Sequence, residues 1–554
     1  MKIGIAQIAT DPGDIKGNLA KILDNVERAK RSHLDLVIFP ELAIPGYLLM
    51  DLAYSSDYIS ANLAALQAIA EASRGITTIV GFVDRDDNAL RPGGRPKLYN
   101  SAAVLRDGAI QGIQDKSLLP NYGIFYEERY FEPARGQRIF EIAGEKIGIE
   151  ICEDLWDIEY PNKVTQQLAD MGASIVVNIS ASPFHIGHLH TRKALLNRAA
   201  SENKITFVYV NLVGGFDGYE GEVVFDGRSM VYSSSGKLVC SGQPFTEDFL
   251  VFDTEVSCNQ TFAEPAWEQE CIDALQLGIK DYFRRSGLKR AYIGLSGGID
   301  SSLVAYLSAT ALGAGNVAGV TMPSHFTSGE TKSDAYRLAK NLGIEILERP
   351  IVGEYKAWLK DFVQVMGRQP ANISKQNKQS RIRGSILMEL SNEYPGAAVI
   401  STGNKTELAV GYCTLYGDMC GALAAIGDLS KTRVYQLCSY INASKKSEII
   451  PNSIIERIPS AELEHNQTDR ENLPCDYPTL SPLVEEIVES DRSFNELRGL
   501  FPEQLVRETS LLINRNEFKR RQAPPAIRVT KRAFGVGRRI PITQNFLPAA
   551  DPTS

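Results

Sequence analysis

The chain is poor in the features that mark several protein classes. It holds eight cysteines among 554 residues, none in a Cys-x-x-Cys pair. That argues against a disulfide framework or a paired-thiol zinc module and fits a reduced, cytoplasmic protein. No run of about 18 apolar residues occurs, so no membrane span is expected. Met1-Lys-Ile-Gly-Ile-Ala-Gln7 reads as a first strand, without the long apolar region and cleavage site of a secretion signal. Basic charge is not in excess: 59 Lys and Arg face 67 Asp and Glu, a net charge of −8. A general nucleic-acid binder would be basic, so no nucleic-acid partner is expected. The Lys and Arg run at 528–539, broken by Phe534, Gly535 and Gly537, reads as a solvated or dinucleotide-facing tail. GxxxxGK[ST] is missing throughout, which excludes a Walker A loop.

What the chain does have is Ala291-Tyr-Ile-Gly-Leu-Ser-Gly-Gly-Ile-Asp-Ser-Ser-Leu-Val-Ala305. It reads as a buried strand, a glycine turn and a helix start, the arrangement of a phosphate cradle. Ser296, Gly297, Gly298, Ile299, Ser301 and Ser302 are the candidate phosphate-binding residues, because glycines let the backbone approach an anion and hydroxyls add donors where the helix dipole is positive. An acidic Asp300 in such a nest would repel phosphate unless a divalent cation lay between, so Mg²⁺ is expected. The loop resembles the pyrophosphate loop of ATP pyrophosphatases.

The length of 554 residues suggests three or four domains of ordinary size, or two if the α/β units are large. In the first half, apolar strand patterns alternate with helical spacing such as Leu19, Ile22, Leu23 and Val26. Three predicted strand ends carry reactive groups: Glu41, Lys116 and Cys152. Together they suit a nucleophilic site in which Glu41 takes the thiol proton while Lys116 lowers the thiol pKa and supports an oxyanion. Phe39-Pro-Glu-Leu-Ala-Ile-Pro-Gly-Tyr47, Lys116-Ser-Leu-Leu-Pro-Asn-Tyr122 and Gly148-Ile-Glu-Ile-Cys-Glu-Asp-Leu-Trp156 resemble the three signature blocks of the nitrilase superfamily. The resemblance implies an α-β-β-α sandwich over 1–255 and a Glu41–Lys116–Cys152 triad that opens amides through a thioester. In the glutaminase branch, positions matching Tyr122, Glu127, Trp156 and Ser182 line the substrate pocket. His188 stands where that branch usually has Lys or Arg. His185, His188 and His190 lack the Cys or carboxylate partners of a metal site.

A linker is expected over 256–266 and a second domain over 267–554, where strands and helices alternate in the manner of a doubly wound parallel sheet with its ligand at the C-terminal strand ends. Glu407, at one such end, is placed to share Mg²⁺ with Asp300. Thr402-Gly-Asn-Lys-Thr-Glu407, Tyr412-Cys-Thr-Leu-Tyr-Gly-Asp418 and Gly427-Asp-Leu-Ser-Lys-Thr432 resemble NAD synthetases. That resemblance implies ATP contacts at Thr402 and Lys431 beside those of the loop, and deamido-NAD⁺ contacts at Asn377, Glu407, Tyr412, Leu415 and Lys519. It also implies homo-oligomers. Ser444–Pro478 carries few strand or helix signals and reads as a lid or an unordered stretch. The two halves together imply a glutamine amidotransferase that adenylates deamido-NAD⁺ with ATP. A tRNA-modifying ATP pyrophosphatase would want a basic RNA surface, and a degenerate scaffold would lack a catalytic residue.

Overall fold

The computed structural model describes residues 1–255, 264–465, 467–535, 537–544 and 546. It divides into two compact units, Met1–Phe216 with Val224–Pro265, and Asp217–Val223 with Ala266–Ser554. Most of the expected linker lies outside the described residues.

The first unit is two six-stranded sheets packed face to face. One runs Asp248–Asp253, Lys2–Gln7, Leu36–Ile38, Thr77–Leu90, Pro96–Arg106, Ala109–Asp115, and the other Leu238–Ser241, Met230–Tyr232, Thr206–Asn211, Ile175–Ser180, Glu145–Ile151, Ile139–Ile142. Period-2 alternation decides what each strand buries. Ile147, Ile149 and Ile151 enter the core between the sheets with Ile3, Ile5, Ile38, Ile79 and Val177. A side chain at the intervening Gly148 would meet Leu168 on the outer face. Helices Ile15–Arg31 and Ser56–Ala72 cover one outer face, and Val164–Asp170 and His188–Asn203 the other. The result is the expected α-β-β-α sandwich.

The second unit carries a parallel sheet ordered Glu345–Glu348, Val317–Thr321, Arg290–Gly294, Ala397–Ser401, Leu423–Ala424, Ala526–Arg528. Residues 221–223 pair in parallel beside Ala526–Arg528, which is why this short piece of the first half counts with the second unit. The chain builds outward from Arg290–Gly294 on one side, then crosses to Ala397–Ser401 on the other. Order therefore reverses between those two strands, and their C-terminal ends diverge to leave a crevice.

Candidate active sites

In the first unit Glu41, Lys116 and Cys152 follow the strands Leu36–Ile38, Ala109–Asp115 and Glu145–Ile151, and all three are buried. Lys116 Nζ donates to Glu41 Oε1 at 2.7 Å and to Glu127 Oε1 at 2.8 Å. Asn100 Nδ2 donates to the same Glu41 oxygen at 2.7 Å, and the Ala181 N–H to the other at 2.8 Å. Cys152 opens the short turn Cys152–Leu155 with φ of 47°, the left-handed region. A non-glycine residue held there is strained, as residues at reactive sites often are.

Charge and burial oppose each other in this cluster. Burial first, then the Glu41 charge, push the Cys152 thiol well above its ordinary pKa; Lys116 pulls the other way and is outweighed. Lys116 acts in the expected direction, but removing a thiolate from water costs more than one shared ammonium returns. Burial likewise works to discharge Lys116, but Glu127 and Glu41 hold its pKa well above the usual lysine value. Glu127 is raised to about 7, by burial against the pull of Lys116.

The expected pocket residues fall in three places. Glu127 sits in the charge cluster, where Tyr47 OH also donates to it at 3.3 Å. Tyr122 OH donates to both Glu153 oxygens at 3.0 and 2.9 Å, and Tyr160 OH joins at 3.0 Å. Trp156 stacks on the His188 ring with centroids 5.1 Å apart and planes 7° from parallel, and Ser182 Oγ lies 3.2 Å from His188 Nε2. Asp154 escaped the sequence reading. Its carboxylate accepts the N–H groups of Ser117 at 3.0 Å, Leu118 at 2.8 Å and Ile151 at 3.0 Å, tying the turn after Lys116 to the strand before Cys152. Its only sequence signal was its place two residues after the thiol.

In the second unit the crevice is a cavity of about 520 Å³ lined by Ser296, Gly297, Gly298, Ile299, Asp300, Ser301, Asn377, Thr402, Glu407, Tyr412, Lys431 and Lys519. Helix Ile299–Leu312 starts at the loop, with Gly298 as its N-cap. Gly297 has φ of 77°, and a Cβ there would fall 2.2 Å from the Thr331 carbonyl oxygen, so only glycine fits. Two residues expected at the ligand are not among those that line the cavity. Ser302 is fully buried with Oγ donating to the Gly298 carbonyl at 2.8 Å, because its place on the helix turns it toward the core. Leu415 is not among the lining residues, and its carbonyl accepts from Arg381 Nε at 3.1 Å.

Lys431 lies between the two acidic groups, its ammonium bonded to Asp300 Oδ2 and, at 2.9 Å, to Glu407 Oε1. Burial would discharge Lys431, and these two charges outweigh it. Burial raises Glu407 to about 7 against the pull of Lys431, with Asp300 and Asp469 adding to the rise. Tyr412 OH and Tyr477 OH each donate to Asp469 at 3.0 Å. Lys519 Nζ donates to the carbonyls of Gly411 at 2.7 Å and Cys413 at 2.9 Å, and Asn377 accepts from Thr414 Oγ1 at 2.9 Å. Among the described residues no three His, Cys, Asp or Glu gather as a metal cage, the histidines at 185, 188 and 190 included. Asp300 and Glu407 do supply hard oxygen donors of the kind that Mg²⁺ takes.

Ser444–Pro478 is more ordered than expected. It contains the helix Asn452–Glu456, and Arg457 reaches back to pair with Asp334 and to donate to the Gly297 carbonyl at 3.1 Å.

Two family models match, carbon-nitrogen hydrolase over residues 2–261 and NAD synthase over 271–523. The glutamine-dependent NAD(+) synthetase of Thermotoga maritima is 38% identical over 586 residues, and that of Synechocystis sp. 39% over 561, each alignment covering 99% of both chains. The solved glutamine-dependent NAD+ synthetase of Acinetobacter baumannii, in complex with ADP, is 34% identical with a TM-score of 0.78 and 98% of both chains covered. With a buried carboxylate–lysine–thiol cluster in one unit and a cavity at a glycine-rich strand-to-helix loop in the other, the chain belongs to the glutamine-dependent NAD(+) synthetase family.

Proposed function

We propose that the first unit releases ammonia from glutamine and the second uses it, with ATP, to amidate deamido-NAD⁺ to NAD⁺. The observation that carries this reading is the presence in one chain of the Glu41–Lys116–Cys152 cluster and the Ser296–Ser301 cavity. Because Cys152 stays protonated at rest, Glu41 takes its proton as sulfur attacks the glutamine amide carbon, and Lys116 stabilises the oxyanion. Ammonia leaves, a thioester remains, and water hydrolyses it to glutamate and free thiol. Glu127 keeps Lys116 charged, while Tyr122, Trp156, Ser182 and His188 hold the substrate.

In the second unit the nicotinate carboxylate attacks the α-phosphorus of ATP, pyrophosphate leaves, and ammonia then displaces AMP from the adenylate. Activation is necessary because a free carboxylate offers no leaving group to an amine. The ADP in the Acinetobacter relative supports nucleotide binding, and Ser296–Ser301, Thr402 and Lys431 are the residues assigned to it here. Asp300 and Glu407 are the residues to hold Mg²⁺, which supplies charge compensation at the phosphates. Asn377, Tyr412 and Lys519 face the deamido-NAD⁺ side. The reading includes domains at 1–255 and 267–554, a cytoplasmic location supported by free cysteines at 152, 271, 413, 420, 438 and 475, and homo-oligomers, supported by family resemblance and checked by sedimentation. No helix among the described residues is long and apolar enough to cross a membrane.

The test is Cys152→Ala. It should abolish glutamine-driven NAD⁺ formation and leave the reaction with concentrated ammonium salt. Retained glutamine activity would sink the thioester route.

A further inference from the structure

We propose that Asn404 is the positioning residue that sets Asp300 and Glu407 in register. The inference rests on reading that pair as the Mg²⁺ and phosphate site. The two carboxylates come from different strand ends, after Arg290–Gly294 and Ala397–Ser401, and no covalent path of useful length fixes their spacing. Asn404 spans the gap. Its Oδ1 accepts the Glu407 N–H at 3.0 Å, capping the helix Lys405–Val410, and its Nδ2 donates to Asp300 Oδ1 at 3.0 Å. The side chain is fully buried, so water does not substitute for either bond.

The chemistry of the amide explains the choice of residue. A neutral amide accepts at one end and donates at the other. Aspartate or serine caps a helix as well as asparagine does, but aspartate would set an oxygen against Asp300 and serine is too short to reach both partners. Lys431 also touches both carboxylates, yet it takes Asp300 Oδ2 and leaves Oδ1 to the amide. Asn404 thus orients the Asp300 carboxylate from one oxygen while Lys431 holds the other.

Three substitutions separate the two bonds. Asn404→Ser and Asn404→Asp keep a cap and lose the donor to Asp300; Asn404→Ala loses both. The expected result is a fall in ammonium-driven kcat of about ten- to a hundredfold in the first two, the range for one hydrogen bond to a charged group, with Asn404→Asp the lower. A second readout is the thermal midpoint with ATP, with and without MgCl2. The Mg²⁺-dependent part of the ATP-induced rise should shrink in both variants, while the unliganded midpoint drops clearly only in Asn404→Ala. The inference is overturned if either capped variant keeps both the wild-type Mg²⁺-dependent rise and kcat within about twofold, or if only Asn404→Ala is impaired, since the cap alone would then explain the residue. Asp300→Asn is the control. If it leaves the Mg²⁺-dependent rise intact, the underlying site reading fails; if it abolishes the rise and Asn404→Ser does not, only the role of Asn404 fails.

Discussion

Cys152 combines a strained backbone with a thiol that burial keeps protonated, so its reactivity depends on the base beside it. Glu41→Gln should therefore slow glutamine hydrolysis about as much as Cys152→Ala, roughly 10³-fold or more, because the members of such a set act as one unit; comparable loss in steady-state glutamate release checks it. The reactive types at strand ends were legible in the sequence, and so was the resemblance built on them. Their pKa balance was not, since it depends on buried neighbours such as Asn100 and Tyr47 that look unremarkable singly. Glu150 is a second such case. It points to the outer face of its strand, accepts from Thr165 Oγ1 at 2.8 Å and Asn178 Nδ2 at 2.9 Å, and burial raises it from 4.5 to about 8. Between those values the folded chain holds a proton that the unfolded chain has shed. Stability from this group is full below about pH 4.5 and is lost as pH rises through 8. Glu150→Gln, uncharged throughout, should flatten the fall in thermal midpoint between about pH 5 and 8; an unchanged slope would remove Glu150 from the account.

The elements reward the same attention. The strands and helices that frame both sites followed from apolar periodicity, and helix Ile299–Leu312 from its glycine turn. Ser302 shows what local reading leaves open: its hydroxyl type suggests a ligand contact, and in the folded chain that hydroxyl donates to the Gly298 carbonyl at 2.8 Å. The long segment after Lys445 gave little pattern because its order comes from distant partners, Arg457 on Asp334 and Glu462 Oε1 accepting from Thr331 Oγ1 at 2.8 Å. Those same partners crowd Gly297. Gly297→Ala would need both a strained φ and displacement of the Thr331 backbone, so synthesis should be lost with either nitrogen source while glutamine hydrolysis persists. Asp154→Asn tests the other unit. A neutral amide serves three N–H groups less well than a carboxylate, and loss of a charged acceptor costs about 1–3 kcal/mol; a lowered thermal midpoint with slower glutamate release is the expected pair of readings.

At the scale of the whole molecule, each unit shows how a charge buried for structure differs from one buried for chemistry. Lys405 is fully buried two residues before Glu407, yet is not among the residues that line the cavity. Its Nζ meets Asp428 Oδ1 at 2.9 Å, Glu489 Oε1 at 2.7 Å, Thr530 Oγ1 at 2.9 Å and the Arg532 carbonyl at 2.8 Å. Asp428 in turn accepts the N–H groups of Val529 at 2.8 Å and Thr530 at 2.7 Å. These bonds fasten the segment beyond Ala526, which lies past the NAD synthase match ending at 523, to the helix that carries Glu407. Sequence reading placed the basic run at 528–539 on the surface or near a dinucleotide, since nothing local reveals that its backbone is claimed by a lysine more than a hundred positions earlier. Replacing Lys405 by Met leaves Asp428 and Glu489 without their shared cation, a change that costs about 3–5 kcal/mol when the partner stays buried. Lys405→Met should accordingly lower the thermal midpoint of the second unit and abolish ammonium-driven synthesis, while the rate at which a glutamine analogue labels Cys152 stays near wild type. Synthesis at the wild-type rate with an unmoved midpoint would show that the C-terminal segment holds its place without this charge.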